Sequence, residues 1–208
     1  MEVLLRMSLL PLEEFLRNRI KTSFIKEKEL ALVDNTPSLE KLEKKFHDID
    51  NFGLYLHIPF CEQICPYCPY NKELFSRNAA KRYKNAVKRE IRFYSGLIGD
   101  KPVTSLYIGG GTPTAMLYNG IEEILENIFI SFNIECNIHM ESHPNHLSLE
   151  NLKAIRGMGV RYLSIGVEAL QEKHLRTLKR PYTSEEAKAA IERAVSAGFD
   201  CVNTDFIF

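Results

Sequence analysis

Three cysteines, Cys61, Cys65 and Cys68, fall within eight residues as C-x3-C-x2-C, in the stretch YLHIPFCEQICPYCPY. Three thiolates that close together can hold a metal centre, and three is one short of the usual complement. Structural zinc and ordinary ferredoxin clusters are normally closed by four protein ligands. A set of three therefore points to a centre with one open position, where something other than protein binds and reacts. Pro59, Pro66 and Pro69 keep the segment from becoming a helix, so the thiols come from an extended, looping backbone. Phe60, Tyr67 and Tyr70 would shield a cluster from water.

The spacing also admits redox thiols, or a zinc site completed by a histidine such as His57, although it favours an iron–sulfur cluster over zinc. A disulfide framework does not fit an odd count of five cysteines in 208 residues. Cys136 and Cys201 lie far from the trio in apolar, strand-like context and read as buried small hydrophobes. Basic and acidic side chains balance at 27 each, so no broad electrostatic case exists for nucleic acid or an acidic membrane as a partner. The N-terminus, MEVLLRMSLLPLEEF, is wrong for a signal peptide because Arg6 and then acids interrupt its apolar run. No apolar stretch is long enough to span a bilayer. The expected compartment is the cytoplasm, where thiols stay reduced and available to metal.

From residue 54 onward, short apolar runs alternate with amphipathic stretches. Strands are expected at 54–58, 104–108, 137–142, 162–168 and 201–207. Helices are expected between them. One covers 77–95, with Ser76 as N-cap and Ala80, Tyr83, Val87, Ile91 and Tyr94 at helical spacing. Another covers 120–132 on a stripe of Ile121, Ile124, Leu125, Ile128 and Phe132. A third covers 148–158 on Leu149, Leu152 and Ile155. The last opens on a capping box of Thr183 and Glu186, lines one face with Ala187, Ala190, Ile191 and Ala194, and stops at Gly198. Strands alternating with helices at these lengths mean βαβ units and a parallel sheet.

Each strand also has an apolar side and a polar side. Leu54, Leu56 and Ile58 oppose Tyr55 and His57; Leu106 and Ile108 oppose Ser105 and Tyr107. Ile138 and Met140 oppose His139 and Glu141. Leu163, Ile165 and Val167 oppose Ser164, Gly166 and Glu168, and Val202 and Phe206 oppose Asn203 and Asp205. A solvent-facing antiparallel sheet would alternate in the same way. With helices in between, the better reading is an α/β fold: a parallel barrel, complete or partial, whose polar interior is filled by ligand. Its site would lie at the C-terminal strand ends, at His57, Gly109, Glu141, Glu168 and Asp205. Residues 1–53 read as an N-terminal extension, with one short helix around Leu12, Phe15, Leu16 and Ile20 and another at 38–47. The chain stops at Phe208 inside an apolar strand, so the barrel is expected to be truncated after its fifth strand.

The run Gly109, Gly110, Gly111, Thr112, Pro113 follows the second strand directly. It is not a phosphate loop, since no Gly-Lys-Ser/Thr follows. Its glycines would let backbone approach a ligand, and free carbonyls could accept hydrogen bonds from an ammonium group. Glu141, Glu168 and Asp205 are three carboxylates at equivalent strand ends, as a polyhydroxylated or cationic ligand would require. Arg180 is either a partner for a ligand carboxylate or a solvated connector. His139, His143 and His146 invite a metal reading that Pro144 weakens. His47 and His174 read as exposed helix residues.

Together these residues resemble the radical S-adenosylmethionine (SAM) enzymes, and within them the oxygen-independent coproporphyrinogen III oxidase family. The run Y-x-H-I-P-F-C-x3-C-x2-C, here Tyr55 to Cys68, is followed by GGGTPT at 109–114, E-x-x-P at Glu141 and S-I-G-V-E at 164–168. Arg180 and N-x-D at 203–205 complete six elements in the family's order and spacing, covering residues 54–208. The resemblance implies a partial (β/α) barrel of the radical SAM type over 54–208 and a [4Fe–4S] cluster on Cys61, Cys65 and Cys68. The cluster's fourth iron would bind S-adenosyl-L-methionine. It would cleave it reductively to a 5′-deoxyadenosyl radical that abstracts hydrogen from a substrate.

By position, Tyr55 and Tyr67 would contact SAM, and Gly110, Gly111 and Thr112 would hold its methionyl part. Glu141 and Arg180 would meet its polar groups, and Glu168 and Asp205 its ribose side. The implied partners are a small-molecule substrate, with tetrapyrrole or haem as candidates, and a reduced electron donor of the flavodoxin or ferredoxin type. Three positions depart from the family pattern. Glutamine stands at the position of Glu168 in the oxidases, and a further cysteine at the position of Tyr70. The related haem-chaperone branch carries an acidic residue and an aromatic where this chain has Pro69 and Tyr70. Hydrogen abstraction by a coproporphyrinogen-oxidase-like enzyme is the first reading. A haem chaperone and a methyltransferase of the same family are its alternatives.

Overall fold

Five short apolar runs separated by helices assemble into one parallel sheet in the computed structural model, which describes residues 38–207. The chain divides into two units, 1–39 and 40–208, and the description concerns the second. The helix expected around Leu12 to Ile20 lies outside the described residues.

A first helix, α1 (Leu39–His47), leads into β1 (Phe52–Ile58). Two short strands follow, β2 (Phe60–Cys61) and β3 (Glu73–Leu74), and then α2 (Arg77–Ile98) and β4 (Pro102–Gly110). A 3-10 turn at Pro113–Met116 precedes α3 (Ile121–Ser131), β5 (Asn133–Ile134) and β6 (Ile138–Ser142). After a second 3-10 turn at Pro144–His146 come α4 (Leu149–Gly157), β7 (Val160–Glu168), α5 (Glu172–Thr177), α6 (Ser184–Ser196) and β8 (Cys201–Phe206).

The main sheet runs β1-β4-β6-β7-β8, with β5 added beside β4, and every pairing is parallel. Parallel pairing settles the choice that alternation alone left open between a wet antiparallel sheet and βαβ units. The five long strands lie in the sheet in chain order, with no reversal. Right-handed crossovers that never reverse put the helices on one face, which is how a barrel is wound. The described part is thus a parallel partial (β/α) barrel.

The apolar faces meet the helices as patterned. Ile58, Leu106, Ile108, Met140, Ile165 and Val167 are fully buried, and α3 closes over them with Ile124, Leu125 and Ile128. Burying each such side chain contributes about 1.5–3 kcal/mol, so this seam holds the strands in register. Local signals set the helix starts. Ser76 caps α2 through Ala79 N, and Ser148 caps α4 through Asn151 N.

Several expectations fail at the margins. Leu149 is exposed on the first turn of α4, because that helix faces the sheet with Leu152 and Ile155 alone. Phe206, expected on the apolar face, is exposed near the end of β8, where a register shift between Gly166 and Glu168 opposes it to Glu168. Cys201 is exposed and Cys136 only half buried, so neither is the core residue that its apolar neighbours implied. The β2–β3 pair, β5 and α5 are too short to leave a periodic signal. Among the described residues no helix is long and apolar enough to cross a membrane.

The polar faces carry an arrangement that alternation did not foretell. Register aligns Tyr55, Tyr107, His139 and Tyr162 in one row across β1, β4, β6 and β7. Their rings stack in series, with centroids 6.1, 5.9 and 4.3 Å apart. Stacked cross-strand aromatics stabilise a sheet face that none of the described helices covers, and the row forms a floor one level below Glu141.

Helix α6 offers a direct test of local encoding. Thr183 Oγ1 accepts from Glu186 N at 3.2 Å while Glu186 Oε2 accepts from Thr183 N at 2.7 Å. Thr183→Ala should cost about 1 kcal/mol and lower Tm by about 2–4 °C, with Thr183→Ser keeping most of the wild-type stability. An unchanged melting curve for the alanine variant would remove the capping box from the account of this helix.

Candidate metal and cofactor site

The cysteine loop is a strand extension that returns beside its own start. Pro59 ends β1, and β2 pairs in parallel with β3, matching Cys61 to Leu74. Glu73 N donates to Pro59 O at 2.6 Å and Phe75 N to Cys61 O at 2.8 Å. Inside the loop Lys72 Nζ donates to Cys68 O at 2.6 Å and to Tyr70 O at 3.2 Å. The loop is therefore closed by backbone bonds and an ammonium.

Cys61 is buried, and Cys65 and Cys68 are half buried. Burial pushes the Cys61 thiol upward, and the Cys68 and Cys65 thiols add to this. The Thr112 hydroxyl, 3.5 Å from Cys61 Sγ, and Lys72 pull it back. A metal that takes this sulfur must displace its proton.

The glycine run lies flush against that loop. Gly111 N donates to Ile58 O at 2.7 Å and Thr112 N to Phe60 O at 2.8 Å. A Cβ on Gly111 would stand 2.9 Å from Cys61 Sγ, and one on Gly110 2.7 Å from the His57 ring. Gly110 also has φ +117°, a conformation that disfavours side chains. Close approach of two backbones explains these glycines as directly as approach to a ligand does.

Glu141 is held on the other side of the run. Its Oε1 accepts from Tyr107 Oη at 2.9 Å and its Oε2 from Gly110 N at 3.0 Å. Tyr107 is thereby kept a phenol: burial raises its pKa, and the Glu141 carboxylate raises it further. Asp205 accepts from Ser164 Oγ at 3.0 Å and Asn203 Nδ2 at 2.9 Å. Glu168 sits at the β7 bulge with φ 67°, an uncommon value for a residue with a side chain. Burial raises its pKa, and Arg180 works in the opposite direction.

Arg180 joins three elements. Its Nη1 reaches Cys65 Sγ at 3.4 Å and Tyr67 Oη at 3.1 Å, its Nη2 donates to Gly166 O at 2.7 Å, and its Nε to Tyr182 Oη at 2.7 Å. Four of five N–H groups are thus engaged within the protein. The solvated-connector alternative for Arg180 does not hold, because the guanidinium packs beside a cysteine sulfur. Burial pushes Tyr67 and Tyr182 upward, the latter to about 12.

Of the twelve residues singled out from the sequence, eleven line one cavity of about 540 Å³: the three cysteines, Tyr67, Gly110, Gly111, Thr112, Glu141, Glu168, Arg180 and Asp205. That volume suits a small organic ligand. Tyr55 is the exception. It is 56 % exposed, bonded to His57 Nδ1 at 3.1 Å and stacked on Tyr107, outside the cavity wall. His57 and Gly109 also lie off the wall. With Tyr55 on one ring nitrogen and Asn71 O on the other at 3.0 Å, His57 has no nitrogen left to complete a zinc site.

The histidine trio does not gather. His139 is in the aromatic row, His143 Nδ1 accepts from Asn145 N at 3.2 Å, and His146 lies between Thr114 Oγ1 at 2.9 Å and Glu62 Oε2 at 3.1 Å. Among the described residues no three His, Cys, Asp or Glu side chains converge as a single ion needs. A cluster spreads its ligands over separate irons, and three soft thiolates around one cavity are the donor set it takes.

Sequence reasoning missed Tyr182 and Glu62, gave Tyr107 no role beyond its strand face, and weighed His143 and His146 only as metal ligands. Tyr107 had a signal, the polar side of its strand just before the glycine run. The others act through contacts between distant loops, which spacing does not encode.

The model of the radical SAM superfamily matches residues 55–208. A heme chaperone, HemW, of Bacillus subtilis is 31% identical over 157 residues, 74% of this chain and 41% of its own length. An oxygen-independent coproporphyrinogen III oxidase of Salmonella typhimurium is 33% identical over 161 residues, 75% of this chain and 35% of its own. Among solved structures, the coproporphyrinogen III oxidase HemN from Escherichia coli, a radical SAM enzyme, superposes with a TM-score of 0.77. It is 27% identical and covers 83% of this chain and 41% of that one. The cobalamin-dependent S-adenosylmethionine radical enzyme OxsB, 17% identical with a TM-score of 0.51, shares the fold. The chain spans about a third to two-fifths of the length of these relatives. It belongs to the radical SAM superfamily, whose cofactors are a [4Fe–4S] cluster and S-adenosylmethionine.

Proposed function

We propose that residues 54–208 are the core of a radical SAM enzyme and residues 1–53 an N-terminal extension. In this reading Cys61, Cys65 and Cys68 hold the cluster, and the polar residues around the cavity hold SAM. The observation that supports it is the cavity itself: three thiols on one wall, with carboxylates and a guanidinium around the space beside them. When bound, the reduced cluster and SAM supply a carbon-centred radical that removes hydrogen from a substrate. The protein's part is to bind, aim and exclude water.

Glu141 anchors the glycine run and offers its remaining lone pairs to an ammonium group. The Arg180 guanidinium ties the Cys65 and Tyr67 segment of the loop to Gly166 and keeps one N–H for a ligand carboxylate. Asp205 and Glu168 face the opposite side, where ribose hydroxyls would find acceptors. Tyr55 acts indirectly, through the His57 ring that Gly110 packs against. The substrate reading is a tetrapyrrole, the electron donor a reduced flavodoxin or ferredoxin, and the compartment the cytoplasm.

A haem chaperone is the second reading, supported by the identity to HemW. Substrate-dependent 5′-deoxyadenosine formation favours the enzyme, and stoichiometric haem transfer without it favours the chaperone. Transfer of labelled methyl to a product would select the methyltransferase.

Anaerobic reconstitution with iron and sulfide, followed by EPR, tests the core of the proposal. The reduced signal should change on adding SAM, and Cys65→Ala should lose both cluster and response. A Cys65→Ala protein with an intact, SAM-responsive cluster sinks the assignment.

His143 lines the same cavity and gives a pH test. Burial, with Arg180 and His146 adding to it, lowers its pKa to about 3. With Nδ1 accepting, its neutral ring presents Nε2–H as a donor. A folded pKa below the unfolded one means that the unfolded chain binds the extra proton, so stability falls as pH drops from about 6.5 towards 3. Urea unfolding of His143→Asn should show a shallower acid loss, by roughly 1–2 kcal/mol at pH 5 after allowing for partial exposure. Identical acid slopes in both proteins would show that His143 is protonated in the fold.

A further inference from the structure

Helix α2 carries a charge pattern that works against its own stability. Its 22 residues hold seven Lys and Arg and one acid, Glu90. Arg77 stands in the first turn, where the helix dipole disfavours a cation, and no acid accompanies it there. Arg77 and Lys81, Lys84 and Lys88, and Lys88 and Arg92 are like-charged neighbours four residues apart, each mildly destabilising. Among the described residues only Lys84 and Lys88 are neutralised, both by Glu123 of α3.

Arg77, Lys81, Arg82, Arg89 and Arg92 remain exposed. At about 100° per residue they occupy one flank of a helix about 33 Å long, away from the buried Ala80, Val87 and Ile91. A chain of zero net charge thus concentrates cations on one face, and a local rule broken without compensation among the described residues points to function.

The position of the stripe suggests which function. Its N-terminal end abuts the cysteine loop, through the Leu74–Cys61 pairing and the Phe75 N to Cys61 O bond. Between Cys65 and Glu90 the sequence holds seven cations and one carboxylate, Glu73. At the loop end the surface turns apolar, with Tyr70 68 % and Leu74 62 % exposed. An apolar contact beside a redox centre, continued by a field of one sign, is what a short-lived electron-transfer encounter uses. Such interfaces are small, and charge complementarity raises the association rate rather than the affinity.

We propose that the basic flank of α2, with Tyr70 and Leu74 at its end, docks a small acidic protein that delivers single electrons to the cluster. This rests on the cluster reading above and adds the surface through which reduction occurs.

The test is stopped-flow reduction of the reconstituted protein by pre-reduced flavodoxin and, separately, ferredoxin, at low and high salt. Wild-type reduction by at least one of them should be fast at low salt and slow as salt screens the stripe. The triple variant Lys81→Glu, Arg82→Glu, Arg89→Glu should be slower by about tenfold or more at low salt, the gap closing at high salt. The Gln triple variant, gentler on the helix, should fall between. Dithionite reduction and the SAM-dependent EPR change should match wild type in both, since none of these residues touches the cavity.

Equal low-salt rates for wild type and the Glu variant, or salt-independent reduction by both donors, overturn the proposal. So does a variant that loses tRNA binding while keeping donor kinetics, which would give the stripe to nucleic acid. Failure of dithionite to yield a SAM-responsive cluster in wild type is a different result, and it removes the cluster reading itself.

Discussion

The contact between Gly111 and Cys61 is the constraint on which the site depends. Two loops leave adjacent parallel strands, β1 and β4, and the backbone of one lies against the sulfur of the other with no space for a side chain. That approach is possible only because the strands are in register and Ile58, Leu106 and Ile108 are locked in the core beneath them. Burial of apolar surface thus fixes the height at which the first thiol meets the cavity. The glycine run then passes the placement on, since Gly110 N holds Glu141 and Glu141 holds Tyr107.

The second cysteine depends on a more distant tie. Cys65 and Tyr67 meet Arg180, which lies more than a hundred residues away and is itself fixed to Gly166 and Tyr182. Gln63 Nε2 adds a bond to Lys179 O at 2.6 Å, and Lys179 has φ 54°. Glu62 pairs with His146 on the turn after β6. The residues between Cys61 and Cys65 therefore clamp the loop to the turn after β6 and the connection after α5. Half-exposed on one side, the loop is held by polar contacts where burial alone would leave it free to open.

Much of this was legible in the chain because periodicity and capping are local. Ser76, Ser148 and Thr183 start the helices that their spacing announced, and strand alternation separated core from cavity, from Leu106 and Ile108 to Glu141 and Glu168. What escaped was set by geometry between strands. The stacked row from Tyr55 to Tyr162 follows from register, which no single strand encodes. The family resemblance sets Tyr55 against SAM, yet its place on β1 leaves it exposed. Arg180 was ambiguous because its partners come from three loops. Leu149 and Phe206 were misassigned because an apolar residue at an element's end has no neighbour to bury it.

Several departures from local rules lie at or beside the cavity. Glu168 and Lys179 adopt positive φ, His143 is neutral and partly buried, and Arg77 faces the wrong end of a helix dipole. Strain of this kind persists only where surrounding structure holds it, and here Glu168 is held by the β7–β8 pairing and Lys179 by the Gln63 bond to its carbonyl. The helices of the outer layer follow their propensities closely, apart from α2. A fold that satisfies its rules on one face of the sheet and breaks them on the other has divided stability from chemistry. The break in α2 extends that division from the cavity to the surface beside it.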